Sequence, residues 1–480
     1  MPTKDSKVFW LLILATLLVR FPLFFPSLLD HDESTYMVIG SEILKGKDLY
    51  VDVIDLKPPG VFWFFALIEG AFGKSIFLVR IVDALLIGIS AFLLFKIQRR
   101  FNQSENAGWF TAFLFILMNT LHFFTLSFNN EHLMVLFALL AIWILLRKET
   151  VWTAFLCGLF AGLGFIVKYL VLFDVAAFGV FFLVLTWQRT KSWAEVVKWA
   201  LTRGTAMLLG FVIPMGLTIL YFYVGDHFEA FQFISFEAPG NYAEETSWFD
   251  RLRFLTDFNI AYLFYLIPFY WMIFGKVEKE SWKQLRWLAL IWLGFTMLSV
   301  EATGKMFSHY WLQMVPPVVL ISGLAIDHLK VFKKIKSFKW KGWNGLQWSG
   351  LSILIFGIAL NYFTEVRKPD YPKIISNYLK EEMKPGDEVF PANTYQILYY
   401  LLDQSPIIPY VHSSLLIREG HVKTLEIDLD YWFNFIKEKS PRFIMVADTY
   451  KIESFQQFIE ENYKLKKTFD NRFHIWELEK

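Results

Sequence analysis

A single cysteine in 480 residues, Cys157, excludes any internal disulfide. It also excludes a disulfide-stapled ectodomain and a cysteine-cluster metal site. Charge is scarce too. Only 19% of residues are Asp, Glu, Lys or Arg, against about 25% in an ordinary soluble domain. The signs nearly cancel, with 47 basic and 45 acidic residues leaving +2, so there is no electrostatic footprint for nucleic acid. No Gly-rich phosphate loop, Rossmann-type fingerprint, heptad run or internal repeat is present. Apolar residues, by contrast, are abundant: 55% of the chain is hydrophobic and 19% aromatic, with a mean hydropathy of +0.39. That composition excludes a soluble enzyme and a disordered scaffold. It predicts a multi-span membrane protein.

The N-terminal MPTKDSK is short and basic, and the apolar run after it continues to Leu29 with no small-x-small cleavage site. It reads as an uncleaved first span with Lys4 and Lys7 inside. Asp30, His31, Asp32 and Glu33 then fall at the outer surface. The run Val61 to Phe72 is too short to cross, whereas Ile76 to Phe95 is long enough and ends in Lys96, Arg99 and Arg100. If both runs crossed, that basic cluster would lie outside, against the positive-inside rule. Residues 33–73 are therefore expected to form an outer loop with interfacial helices. The same logic places spans near 107–126, 131–146, 151–167, 170–187, 204–224, 257–274, 285–300, 310–327 and 346–363, about eleven in all. The lysines at 330, 333, 334, 336, 339 and 341 read as an inner topology anchor.

Residues 366–480 are different in kind. They hold 16 basic and 18 acidic residues and no spanning run. Helical stretches at 371–383, 394–403, 426–439 and 452–463 alternate with strand-like runs at 388–390, 443–446 and 473–478, which predicts a small α/β domain. An odd number of spans places it outside. The division is thus 1–365, a transmembrane domain with its outer loop near 30–75, and 366–480, an extracytoplasmic α/β domain.

The chemistry-bearing residues gather, by topology, at the outer face. Asp32-Glu33, followed by Tyr36, supplies carboxylates at the membrane surface, where partial desolvation makes a good general base. The alternative is a hydrated loop that keeps the first span's end out of lipid. In Asp55-Leu56-Lys57-Pro58-Pro59-Gly60, Lys57 offers a cation for phosphate and Asp55 a carboxylate for a metal or hydroxyl. The two prolines alone only mark a helix start. Glu131 sits where an apolar run resumes, and Lys305, His309 and Tyr310 lie in a further outer segment. Arg20, Arg80 and Lys168-Tyr169 complete the set, as snorkelling cations or as receivers of a lipid-linked phosphate.

These segments carry a resemblance. The stretch from Asp30 to Gly73, DHDESTYMVIGSEILKGKDLYVDVIDLKPPGVFWFFALIEGAFG, and then SIFLVRIVDALL, resembles the first outer loop and second span of the GT-C fold glycosyltransferases. The similar group is the bacterial one related to protein O-mannosyltransferases and the lipid A aminoarabinose transferase. The likeness extends to Glu131 and to the GLGFIVKYLVLF and GKMFSHYWLQMVPPVVLISG segments, so it covers most of residues 1–330. It implies a bacterial cytoplasmic-membrane enzyme that takes a sugar from a polyprenyl-phosphate donor on the outer side and moves it, usually with inversion, to an acceptor hydroxyl. The acceptor would be a lipid, a protein or a glycan of the cell envelope. Carried over, Asp32 would be the general base and Glu33 would orient the acceptor or the loop. Lys57 would meet the donor phosphate, joined by Arg80, Lys168, Lys305 or His309, while Tyr36, Asp55 and Tyr310 would contact substrate. Here Leu56 separates the acid from Lys57, whereas the lipid A enzymes place the two side by side. Glu131 falls where several members have an Asp that helps hold a divalent metal, so Asp55 and Glu131 are the candidate metal ligands.

Two rival readings have discriminating features. A lipid-linked sugar transporter or flippase should carry ionisable or helix-breaking residues near the midplane of several spans. The spans here are mostly apolar there, with Asp174 an exception. A polymerase or ligase for surface polysaccharide of the same fold would look alike in sequence.

Overall fold

The computed structural model describes residues 4–238, 246–302, 304–449 and 452–479. The chain divides into two compact units. One comprises Met1–Phe24, Arg80–Ile219 and Glu244–Arg367, the other Phe25–Val79, Leu220–Ala243 and Lys368–Lys480. Pro239, Gly240 and Asn241, which with Gly225–Arg253 suggest a lid by length and turn chemistry, lie outside the described residues.

Among the described residues, eight helices are long and apolar enough to cross a membrane. The pair Trp248–Ala261 and Leu263–Phe274, bent by 102°, makes a ninth if it crosses as one. Glu105–Met118 and Val151–Val167 are apolar but only 14 and 17 residues long. Eleven spans are reached only if both of these cross. A helix is present at Pro59–Phe72, and the helix from Ile76 runs on to Asn102.

The expected span at 107–126 stops at Met118 for an identifiable reason. The chain leaves helix at Asn119, and the fully buried Arg20 takes up the backbone carbonyls beyond. Its Nη1 donates to Asn119 O at 2.8 Å and Thr125 O at 3.0 Å, and its Nη2 to Leu126 O at 2.6 Å. Irregular backbone at membrane depth persists only where protein groups satisfy it. Arg20 Nη2 also contacts Asp83 Oδ2 at 2.5 Å, and Asp83 Oδ1 lies 2.7 Å from His132 Nδ1. This buried triad joins the first helix, the helix from Ile76 and the start of the helix Asn130–Arg147.

Asp174, the exception among the apolar spans, stands in the first turn of the helix Val171–Thr190 rather than at mid-span, and its partners are identified. It accepts from Trp292 Nε1 at 2.5 Å and Gln313 Nε2 at 2.6 Å, and Ser299 Oγ donates to Gln313 Oε1 at 2.9 Å. A buried carboxylate with its donors supplied ties three segments together.

Helices Val151–Val167 and Thr205–Val224 cross backbone to backbone. A Cβ on Gly158 would stand 1.9 Å from Met207 O, and one on Gly210 would stand 2.0 Å from Phe155 O. Small residues permit this approach, the usual device where no hydrophobic force separates helix from lipid. Gly158→Val is expected to lower the melting temperature in detergent and broaden the size-exclusion peak, since such overpacking typically costs about 1–3 kcal/mol. Gly179→Ala is the control, because an added Cβ there meets nothing within 4 Å. Equal melting of the two variants would contradict this crossing.

In the second unit the C-terminal region folds as an α/β layer. A four-stranded sheet has Val389–Pro391 at one edge, parallel to Phe443–Ala447, which pairs antiparallel with Phe473–Leu478, itself antiparallel to Tyr463–Phe469. Ile375 and Leu379 from the helix Tyr371–Glu382 pack on Val389, Phe443, Met445 and Ile475 of the sheet. The segment from Asp30 to Gly73 belongs to the same unit. Helices His31–Leu44 and Pro59–Phe72 pack closely, and a Cβ on Gly40 would be 2.8 Å from Ala66 N. The linker between them is held from two sides. Ile54 N donates to Pro409 O at 2.8 Å, and Tyr50 stacks on Phe222 at 5.5 Å.

Candidate active site

Asp30 caps the helix His31–Leu44, its Oδ1 accepting from Asp32 N at 2.7 Å. Capping fixes the first turn, where the helix dipole favours a carboxylate. Asp32 and Glu33 both stand in that turn but differ in surroundings. Asp32 keeps 21% of its side chain exposed, whereas Glu33 is buried.

Lys57 is the hub of this site. Its Nζ lies 3.0 Å from Asp32 Oδ1 and 3.5 Å from Asp55 Oδ1, and its backbone N–H donates to Asp55 Oδ1 at 3.1 Å. The approach to the Pro58-Pro59 helix start is locked by Tyr50, whose hydroxyl donates to Lys57 O at 2.7 Å. Asp55 is buried, and desolvation raises its pKa while the Lys57 charge opposes the rise. Tyr36, one turn on from Asp32, wedges edge-on against Phe62 and Phe65, with its hydroxyl 3.4 Å from Asp32 Oδ2. Asp32, Tyr36, Asp55 and Lys57 therefore converge.

The C-terminal layer adds groups that the sequence pattern does not single out. His412 Nε2 lies 3.6 Å from Asp32 Oδ1. Gln396 Oε1 is 3.1 Å from His31 Nδ1, and Gln396 Nε2 donates to His31 O at 2.9 Å and Thr35 Oγ1 at 3.0 Å. Ser27 N donates to Asp370 Oδ2 at 2.9 Å. His412 lies 380 positions from Asp32, and nothing local in Pro409-Tyr410-Val411-His412 marks it as a site residue.

A second cluster lies in the other unit. Glu131 opens the helix Asn130–Arg147 and meets Lys168, which follows the last turn of Val151–Val167. Lys168 Nζ sits 4.0 Å over the Tyr310 ring, and His309 Nε2 is 3.8 Å from Glu131 Oε1. Glu131, Lys168, His309 and Tyr310 thus come together as well, with the His132–Asp83–Arg20 triad fixing the same helix start. Lys305 is placed elsewhere in that unit, on a cavity of about 670 Å³ with Arg253, Asp257 and Trp311. Arg80 is fully buried and donates from Nη1 to Leu23 O at 2.7 Å.

The candidate metal ligands do not fit a divalent ion. Among the described residues no group of three or more His, Cys, Asp or Glu side chains converges to hold one. Asp55 and Glu131 are each paired with a lysine, a donor set that opposes a second cation.

Comparison with known proteins bears on the fold. Residues 56–217 match the family model described as dolichyl-phosphate-mannose-protein mannosyltransferase. The lipid A galacturonosyltransferase RgtD of Rhizobium johnstonii is 32% identical over 123 residues, 25% of this chain and 26% of that one. The ArnT structure from Cupriavidus metallidurans bound to undecaprenyl phosphate superposes with a TM-score of 0.67 at 14% identity, covering 99% of this chain and 98% of that one. Its apo form gives 0.66 at 14% identity over 97% of each. The sequence match spans a quarter of either chain, whereas the fold match spans nearly all of both. The protein is a multi-pass membrane protein of the GT-C glycosyltransferase fold. Within it, residues 56–217 are similar to the mannosyltransferase family model, and the whole chain has the fold of the ArnT structures.

Proposed function

We propose that this protein is a glycosyltransferase that moves a sugar from a polyprenyl-phosphate donor to an acceptor hydroxyl at the outer face of a bacterial cytoplasmic membrane, with inversion. The observation that carries this reading is the Asp32–Lys57–Asp55 array: a part-exposed carboxylate at a capped helix start, joined through one ammonium to a second, buried carboxylate. It is supported by the family match across residues 56–217 and by the undecaprenyl phosphate bound to the ArnT of the same fold.

Asp32 takes the acceptor's hydroxyl proton as that oxygen bonds to the anomeric carbon. The bond from that carbon to the phosphate oxygen breaks, and the electron pair leaves with the polyprenyl phosphate. Positive charge builds on the sugar ring and negative charge on the leaving oxygen. Lys57 meets the phosphate, and its low-dielectric surroundings strengthen that contact. Asp55 positions Lys57 through the backbone and the ammonium, while Tyr36 and Glu33 hold the helix start. Lys168, His309 and Lys305 are further candidate donor contacts, with Tyr310 beside Lys168. Arg80 is assigned to the packing of the bundle, through Leu23, and left out of the donor set.

The test is transfer from a panel of radiolabelled undecaprenyl-phosphate sugars to envelope acceptors by the purified protein in detergent. Incorporation from one donor is expected. Incorporation from none would overturn the reading. The orientation is tested separately. A cysteine at Lys380, in a Cys157→Ser background, should react with an impermeant maleimide on intact spheroplasts, and reaction only after permeabilisation would reverse the topology.

A further inference from the structure

The C-terminal layer brings a histidine against the proposed base, and the geometry points to a role for it. We infer that His412 is a positioning residue for Asp32, presenting an Nε2–H to Oδ1 so that Oδ2 is the oxygen that accepts the acceptor's proton. The inference rests on the transferase reading above and deepens it.

The tautomer follows from the neighbours of the ring. Ser414 N lies 3.1 Å from His412 Nδ1, and Ser414 Oγ lies 2.8 Å from the same atom. A backbone amide can only donate, so Nδ1 is an acceptor and the hydrogen of the neutral ring resides on Nε2. Nε2 is the atom that faces Asp32 Oδ1, at 3.6 Å. The ring stays neutral because burial pushes its pKa down to about 3, with Lys57, His31 and His421 adding to the fall and Asp32 opposing it.

Oδ1 accepts from Lys57 Nζ at 3.0 Å and faces His412 Nε2 at 3.6 Å, just beyond hydrogen-bond distance, while Oδ2 accepts from the Tyr36 hydroxyl at 3.4 Å. Fixing one oxygen of a carboxylate orients the lone pairs of the other, which is the geometry a general base requires. The Nε2–H dipole also favours the carboxylate over the neutral acid at Asp32. Ser413–Leu416 is a short 3₁₀ turn whose start His412 caps, so the same residue closes its own loop and aims at the base. The C-terminal layer is on this account part of the catalytic apparatus rather than an appendage.

The experiment compares wild type with His412→Ala, His412→Gln and Asp32→Asn as purified full-length protein, using the radiolabelled donor that wild type accepts. His412→Ala should lower kcat about 10-fold, the lower end of the effect of losing a polar group facing a charge, with little change in donor KM. The acid limb of its kcat/KM profile should move to higher pH, because an unsupported Asp32 binds its proton more tightly. His412→Gln places an amide N–H near the former Nε2 and should restore much of both. A monodisperse size-exclusion profile for each variant separates loss of function from loss of fold. If Asp32→Asn is inactive while His412→Ala keeps wild-type kcat and an unmoved acid limb, this inference fails and the transferase reading stands. If Asp32→Asn is active, Asp32 is not the base and the inference fails while the transferase reading stands; if wild type transfers from no donor, the transferase reading fails and the inference with it.

Discussion

Asp32→Asn is expected to lower transfer by about 10²- to 10⁴-fold, the usual contribution of a positioned general base. The substitution keeps the shape of the side chain and removes only its capacity to take a proton. The Asp30 cap on the same helix turn does not involve the Asp32 side chain, so the local fold has no reason to change. The variant should elute and melt like wild type. Lys57 loses one of its two carboxylate neighbours but keeps Asp55 at 3.5 Å, so donor binding should survive better than turnover. Wild-type turnover in this variant would remove Asp32 from the chemistry altogether.

The second large effect is on stability, in the other unit. Arg20→Leu would leave Asp83 buried without its guanidinium partner and strip donors from the carbonyls of Asn119, Thr125 and Leu126. Breaking one member of a buried ion pair costs about 3–5 kcal/mol, because an uncompensated charge remains. The expected result is a protein that aggregates on mild heating in detergent, read as the fraction still monodisperse by size exclusion. Arg20→Lys should fall between, since an ammonium can meet Asp83 but lacks the planar fork that spans three carbonyls. If Arg20→Leu survives heating as well as wild type, the triad is not what holds the broken helix at Asn119.

Hydrophobic run length made most of the long helices legible, and the short run Val61 to Phe72 marked a helix too short to cross. Where the reading failed, a distant partner decided. Residues 107–126 read as one apolar span because nothing local announces that Arg20, 99 positions earlier, will take up the carbonyl of Asn119. The run at 257–274 bends at Tyr262, whose hydroxyl donates to Met118 O 144 positions away. Asp174 had no local partner, since Trp292 and Gln313 are more than a hundred residues distant.

In the C-terminal layer the main helices and three strands were visible from periodicity. The strand Tyr463–Phe469 was not, because a register shift between Leu465 and Lys467 breaks the alternation that marks a strand. For the site, Asp32, Tyr36, Asp55 and Lys57 lie within 26 residues of one another and could be read together. His412 and Gln396 could not, because only the tertiary fold brings them to that loop.

The measurement that bears most directly on the central claim uses proteoliposomes holding the purified protein, an undecaprenyl-phosphate donor labelled in its sugar, and envelope acceptors. Transfer and transport give different products. A transferase moves the label into the acceptor and liberates undecaprenyl phosphate in equal amount. The account predicts that result, with the label remaining on the donor in Asp32→Asn. Label that crosses the bilayer still attached to intact donor, with none in any acceptor, would contradict it and establish a lipid-linked sugar transporter instead.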